Sequence, residues 1–596
     1  MHGELRSSIF EWFGQDSWKV SKKLTVEYGA RWTLQGPWYD ARGLGSTFDP
    51  LAYTAANSSN PYDGVRTASC KNPGQSVVPL CGTIPYTILP YGHPLTQPRL
   101  GFSWDTLGNA KAVLRGGIGW YTQRDPTNSG FGAIVGPPNL FYAAICCNYG
   151  SVVNGANTSG LAAIEAASAG TQPPFTYGQS SAVYDPRDDH VPRITQYNFT
   201  VSSTLPRHFF AELGYVGSVS RHLIIEQNID SDPYGVLWYG AANDPSCPHC
   251  LTPGASGNEQ LYAPFNPFKQ IVQIQHEGNS SYNALQGTLR RQASHRLDFI
   301  ASYTFSKAIG DSDQYQTVLP DPFSTLGSKH VLSFDRTHNF SIGYQYLVPN
   351  GALGALGHSA VARGVLNGWM FSGITRATSG GPVAPTANVN CLQVTDAAGD
   401  TASCPTSAPV GQPVFWNPSD TWFGTNAWIN AFLPGANGGT PNGIYPAYSC
   451  DPKTSHGGIN SSFIKLSCVS LPAFGQQGAL DPPYIKNPGY WNFDLALQKT
   501  FKIRESMHID FRVSAFDIFN RAQPFPLQSV ADVNWVVPFG ATDASQGQAI
   551  LQNFNGGTEN GSPVSCATGL APFGYFCSKG AAGQQRQMEA SVKFFF

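Results

Sequence analysis

No run approaching about 18 apolar residues occurs in this chain of 596 residues, which excludes membrane-crossing helices. Charge is scarce as well: Asp, Glu, Lys and Arg make up 12% of the residues, with a net charge of -2. Such a balance leaves no electrostatic footprint for nucleic acid. Catalytic signatures are missing too, with no H-E-x-x-H pair and no G-x-S-x-G elbow. Gly116-Gly117-Ile118-Gly119 lacks the Lys of a phosphate loop and is read as close backbone packing inside a strand. The chain is therefore read as a non-enzyme, with no catalytic residue, metal ligand or cofactor assigned. Met1-His2-Gly3-Glu4-Leu5-Arg6 has no apolar core and is not a signal peptide.

What the chain does have is alternation. In the tail, Met588, Ala590, Val592, Phe594 and Phe596 share one strand face, against Glu589, Ser591 and Lys593 on the other. So apolar a strand would be an aggregation hazard in water, but suits a strand with one side toward lipid. The pattern recurs in Leu24, Val26, Tyr28, Ala30, Trp32 and Leu34, set against Thr25, Glu27, Gly29, Arg31 and Thr33. It recurs again over 297–306 and 507–515. Charge on one face and none on the other is the pattern of an outer-membrane barrel, whose tilted strands need about 9–11 residues to cross. Aromatics at 13% suit lipid-facing strands with interfacial girdles.

Thirteen strands are expected, near 9–20, 24–34, 98–105, 112–121, 194–203, 208–217, 282–291, 297–306, 337–348, 367–378, 490–501, 507–519 and 586–596. Tight polar turns join them in pairs, as at 21–23, 106–111, 204–207, 292–296 and 502–506. Long Gly-, Pro-, Asn- and Ser-rich segments separate the pairs, at 35–97, 122–193, 218–280, 307–336, 379–488 and 521–585. Short periplasmic turns and long extracellular loops are the asymmetry of outer-membrane barrels. The fold class expected is all-β: a transmembrane antiparallel barrel, one domain over 1–596. An odd strand count, with no signal peptide, leads to the expectation that the chain is truncated at its amino end.

All twelve cysteines fall in the expected loops. They lie as near neighbours: Cys70 and Cys81, Cys146 and Cys147, Cys247 and Cys250, Cys391 and Cys404, Cys450 and Cys468, Cys566 and Cys577. Even counts of this kind fit local disulfides in an oxidising compartment, with connectivity left open. Cys247-Pro248-His249-Cys250 matches a thiol-oxidoreductase motif, but its flanks are loop residues, which favours a structural disulfide. Asp185, Asp188 and Asp189, and Asp311 with Asp313, offer oxygens for a surface calcium ion. No EF-hand spacing accompanies them, so a solvated acidic loop is the simpler reading. Glu27, Arg31, Arg115, Glu212, Arg290, Asp298, Asp494, Asp510 and Arg512 are expected to point into a lumen.

The strand texts resemble one family. Gln15-Asp16-Ser17-Trp18-Lys19-Val20 with Leu24-Thr25-Val26-Glu27-Tyr28-Gly29-Ala30-Arg31-Trp32 is similar to the "QDxWKV…LTLNYGLRW" hairpin of TonB-dependent receptors. Pro98-Arg99-Leu100-Gly101-Phe102 resembles their "PRLGFAYD" strand. Tyr282-Asn283-Ala284-Leu285-Gln286, Ala301-Ser302-Tyr303-Thr304-Phe305-Ser306-Lys307, Asp335-Arg336-Thr337-His338-Asn339-Phe340 and Phe516-Asp517-Ile518-Phe519-Asn520 resemble segments of the Oar-like branch. The resemblance implies a barrel of about 22 strands in the bacterial outer membrane, with a plug and a TonB-contacting peptide upstream. Plug, peptide and about nine strands would be missing here, so TonB would act only through that region. It further implies outer-membrane lipid and the barrel-assembly machinery as partners, the latter reading Phe596, Phe594 and Val592. Energised uptake of an unnamed substrate is the function implied. The alternatives are a plug-less passive porin or adhesin-like barrel, and a secreted, disulfide-stabilised β-rich binding protein.

Overall fold

The computed structural model describes residues 4–130, 182–230, 271–313, 328–349, 364–392, 485–520 and 586–596 with short breaks, plus a few isolated segments. Thirteen strands follow one another as an antiparallel meander. They are β1 Ile9–Lys19, β2 Leu24–Gln35, β3 Leu95–Asp105, β4 Ala112–Thr122, β5 Arg193–Leu205, β6 Phe209–Asn228 and β7 Val272–Ser294. The series continues with β8 Leu297–Gly310, β9 His338–Leu347, β10 Trp369–Thr378, β11 Tyr490–Lys502, β12 His508–Phe516 and β13 Gln587–Phe595. Each pairs with the next, and among the described residues the sheet stays open between β1 and β13.

Register turns the alternation of each strand into two continuous faces. One row of directly opposed residues runs Leu24, Trp104, Leu114, Val201, Leu213, Gly287, Tyr303, Phe340, Ala377, Trp491. The neighbouring row runs Thr25, Ser103, Arg115, Thr200, Gly214, Gln286, Thr304, Asn339, Thr378. A slip of one residue in any pairing would exchange the faces from that strand onward. No such exchange occurs across these rows. The apolar face also carries exposed Leu100, Ile118, Phe199, Tyr215, Leu285 and Phe305, a surface that water alone would not favour.

Turn chemistry sets the pairs. Ser21 Oγ accepts from the amides of Lys23 and Leu24 at 3.2 and 3.1 Å, closing the β1–β2 turn. Asp105 accepts from the amides of Gly108 and Ala110, both at 2.8 Å, and Gly108 supplies the left-handed φ of 78° that the turn needs. At the 204–207 turn, Arg207 takes a φ of 61°.

Three expectations need correction. Strands β6 and β7 do not stop near 217 and 282; they run on to Asn228 and from Val272, a length of 20 and 23 residues. Only about 9–11 residues are needed to cross a bilayer, so the pair projects well beyond it on the long-loop side. Segment 35–97 is likewise not featureless. Ser46–Phe48, Val65–Thr67 and Leu80–Cys81 form a small sheet there. Its Phe48, Val65 and Val78 pack with Val183 and Ile271, while Ala68, Ile84, Ile88 and Leu89 pack with Tyr184, Val272 and Ile274. The buried core therefore sits in a cap over the long-loop end, not within the sheet. Charged side chains also appear on the apolar face, against the expectation of none. Register places Asp16, Arg193, Arg291 and Lys499 there. Asp16, on edge strand β1, accepts from Tyr28 Oη at 3.1 Å. Arg193, Arg291 and Lys499 stand near strand ends and lie over Trp120, Phe209 and Trp369, so their charges sit at a rim.

Candidate functional site: the polar face and its cap

Glu27, Arg31, Arg115, Glu212, Arg290, Asp298, Asp494, Asp510 and Arg512 all share the polar face of the sheet by register. Many of their contacts are neighbourly. Arg31 Nη1 lies 3.5 Å from Glu11 Oε2, whose other oxygen accepts from Thr33 Oγ1 at 2.9 Å. Thr500 Oγ1 donates to Asp510 at 2.6 Å, and Arg512 Nε donates to Ser514 Oγ at 3.1 Å. Asp494 accepts from Asn492 Nδ2 at 2.8 Å and from the Asp517 amide at 3.0 Å. Between β8 and β12 the face dips into a hollow of about 430 Å³ lined by Asp298, Ile300, Gly343, Ile374, Asp494 and Arg512. Gly343 and Ala496 make the depression, since neither brings a long side chain. The hollow carries both signs of charge beside aliphatic and aromatic side chains, with no nucleophile–base pair among its lining residues, so it suits binding rather than chemistry.

The long-loop end is organised around one histidine. His276 is 1% exposed and lies between Asp188 Oδ2, 2.8 Å from Nδ1, and Asp125 Oδ1, 3.0 Å from Nε2. Its own amide also donates to Asp188 at 2.7 Å. Burial alone would lower the His276 pKa, but hydrogen bonds to the two carboxylates, and their charges, push it up to about 9. For Asp188 burial acts upward, and the hydrogen bond and charge of His276 overcome it, bringing the carboxyl down to about 2. A buried cation between two anions thus ties the loop starting after β4 to the projecting end of β7. Nearby, Asp49 holds Arg66 at 2.9 Å and Arg187 at 3.7 Å.

Of the residues considered for calcium, Asp189 is exposed and the others are engaged with protein. Asp185 pairs with Arg187, and Asp188 with His276. Asp311 accepts from the amide and the Nδ2 of Asn279, and Asp313 from the Ser333 amide. Among the described residues no set of three His, Cys, Asp or Glu is arranged to enclose a metal. Cys70 is bonded to Cys81, with Cα atoms 5.1 Å apart, and Cys450 to Cys468, at 5.0 Å. Cys391 lies in a short strand, Thr386–Leu392. Cys146, Cys147, Cys247, Cys250, Cys404, Cys566 and Cys577 lie outside the described residues.

The sequence profile of the outer membrane beta barrel domain family matches residues 2–552. The chain belongs to that family. The polar face of this outer-membrane barrel domain is accordingly its lumenal face, and the apolar face meets lipid. No curated protein matches the sequence. Among solved structures, the outer membrane transporter YddB from Escherichia coli is similar at 8% identity and a TM-score of 0.37, over 88% of this chain and 42% of that one. The siderophore receptor PirA from Acinetobacter baumannii is similar at 10% identity and a TM-score of 0.35, over 86% and 42%. The chain thus spans about two fifths of the length of these solved barrels.

In the outer-membrane barrel domain, Val592 and Phe594 lie on the lipid face, opposite Phe511 and Ile509 of β12. Val592 is 67% exposed, as a side chain awaiting lipid would be, and Phe596 follows the end of β13. The motifs behind the sequence resemblance fasten strands together. Asn283 Oδ1 accepts from the hydroxyls of Tyr197 and Tyr215, at 2.9 and 2.8 Å. Asp335 accepts from the Ala308 amide at 2.8 Å, while Ser306 Oγ donates to the Arg336 carbonyl at 3.0 Å. Asn520 Oδ1 accepts from the Arg586 amide at 3.1 Å, holding β13 beside the end of β12. The His276 cluster was missed by sequence reasoning. Its signal was present: Val272, Ile274 and His276 recur at period two, which puts a histidine on a buried strand face.

Proposed function

We propose that this domain is the barrel part of a TonB-dependent transporter or receptor of the Oar-like branch, serving energised uptake across the outer membrane. The observation that carries the reading is the placement of the resembling motifs. Each falls on a strand of one uninterrupted ladder or on the turn that ends it, from the Gln15–Val20 hairpin strand to Phe516–Asn520. In this reading the lumenal charges and the hollow between β8 and β12 contact plug or substrate. The TonB complex acts through residues upstream of the barrel, and the barrel-assembly machinery reads Val592, Phe594 and Phe596. In the same reading, Cys247 with Cys250, Cys391 with Cys404 and Cys566 with Cys577 form local disulfides on the outside of the cell.

Bilayer conductance tests this reading, with the protein extracted from the outer membranes of its own host. A plugged, energised transporter gives no steady conductance until the plug is loosened by denaturant. Large, stable openings without such treatment would instead establish the passive porin and overturn the proposal.

A further inference from the structure

Arg193 and Arg221 stand directly opposite each other across the β5–β6 ladder, and both are exposed. They lie at the long-loop end, where register puts them on the lipid face in line with Thr122. Like charges directly opposed on one face of a sheet destabilise it. Neither guanidinium is ion-paired with a carboxylate among the described residues. Arg193 instead covers the Trp120 ring, 3.6 Å from its centroid, and Arg221 Nη1 donates to the Ser220 carbonyl at 3.0 Å. The register shift between Ser220 and Leu223 leaves Arg221 with no opposed residue on β7, so the ladder is interrupted beside the pair. Height decides what the two arginines meet. β5 has 13 residues, from Arg193 to Leu205 at the tight turn. With a rise of about 3.3 Å and a tilt of about 40°, that length covers about 30 Å of the membrane normal. The apolar band of such a barrel is about 25 Å tall, so both arginines clear it on the outer side. Trp120 and Tyr197, on the same face, lie nearer the membrane centre, as an interfacial girdle would.

We propose that Arg193 and Arg221 form a binding site for the phosphate of an outer-leaflet lipid, one lipid per chain. Guanidinium groups hold phosphate oxygens through paired N–H donors, and two side by side can share one phosphate. The bound anion removes the repulsion that the bare pair carries. Trp120, beneath Arg193, offers an apolar surface to the lipid's first acyl carbons. The inner rim is built differently. There Arg291 and Lys499 stand singly, opposite the aromatic residues Phe209 and Trp369. The site lies on the outside of the barrel, so it takes a membrane constituent rather than anything passing through the lumen. It depends on neither a plug nor energisation.

Native mass spectrometry of the full chain in detergent, titrated with diphosphoryl lipid A, tests the site. One lipid should bind, and Arg193→Gln and Arg221→Gln should each weaken it at least about tenfold. Two further arms use the unmutated chain, so that a folding defect cannot mimic the result. The same lipid stripped of its phosphates should bind at least about tenfold more weakly. Inorganic phosphate at the same concentration should not displace the intact lipid. Equal binding of the stripped lipid, or equal affinity in the variants, would overturn the site. Displacement by inorganic phosphate would assign the arginines to a free anion and overturn the lipid.

Discussion

His276 is the residue on which the cap depends. Two carboxylates face it across 2.8 and 3.0 Å, and its ring is what joins Asp125 to Asp188. Replacing it by Leu leaves two desolvated anions opposed, which should destabilise the cap by about 3–5 kcal/mol. Limited proteolysis of cells displaying the protein should then cut within the cap while the sheet survives; wild-type resistance in His276→Leu would refute the role. His330 offers a pH test in the same region. Burial would lower its pKa, but its hydrogen bonds to Asp313 and the Ser328 carbonyl reverse this and raise it. Asp313 is lowered, since the His330 bond and the Ser333 amide outweigh its burial. The raised His contributes stability that is full below its unfolded value near 6.5 and is lost as pH rises through the folded value. The lowered Asp contributes above its ordinary 3.8 and is lost as pH falls through its folded value. Exchange protection of the Ser333 amide should therefore be greatest between about pH 4 and 6.5 and decline above it. In Asp313→Asn that decline should disappear.

At the scale of elements, each strand is decided by facing. Val592 opposes Phe511 on the lipid face, and Ser591 opposes Arg512 in the lumen. Val592→Arg should cost about 2–4 kcal/mol of folding free energy near mid-membrane, and Ser591→Arg close to nothing. Denaturant titrations of folding into lipid vesicles measure both; equal costs would sink the facing assignment. The ladder strands were legible because period two is a local signal that neighbours cannot erase, as in Leu24 to Leu34. The cap was not legible, for the opposite reason. Phe48 and Val65 are buried by Ile271 and Val183, some two hundred and over a hundred positions away in the chain. No local pattern announces such contacts. The 223–228 and 272–278 extensions were missed because their inward faces mix Ile225 and Ile274 with Glu226 and His276. That mixture looks like loop composition until the packing partners are known. One part of the cap was legible: the close spacing of Cys70 and Cys81 suggested the pair that the structure joins. Removing it with Cys70→Ser should cost about 2–3 kcal/mol, judged from the loop it closes. Thermal unfolding followed by protease sensitivity of segment 39–95 would show the loss.

The whole molecule is polarised along the strand axis, and this has a consequence for the cell. The tight turns at 21–23, 106–111 and 206–208 share one end with Phe596, while the cap, both characterised disulfides and the stacked rings of His190 and His222 share the other. In an outer-membrane barrel the short turns face the periplasm and the long loops face outward. The reverse orientation would send the large cap, with its buried His276 and desolvated carboxylates, to the periplasmic side. A single-cysteine pair can settle the direction, since Cys70, Cys81, Cys450 and Cys468 are already bonded. Leu51 is highly exposed in the cap, and Asn109 lies in the β3–β4 turn. Leu51→Cys should react with a membrane-impermeant maleimide on intact cells. Asn109→Cys should stay silent until the outer membrane is breached. Labelling of Asn109→Cys on intact cells, with Leu51→Cys protected, would invert the barrel and move the cap and its histidines to the periplasmic face.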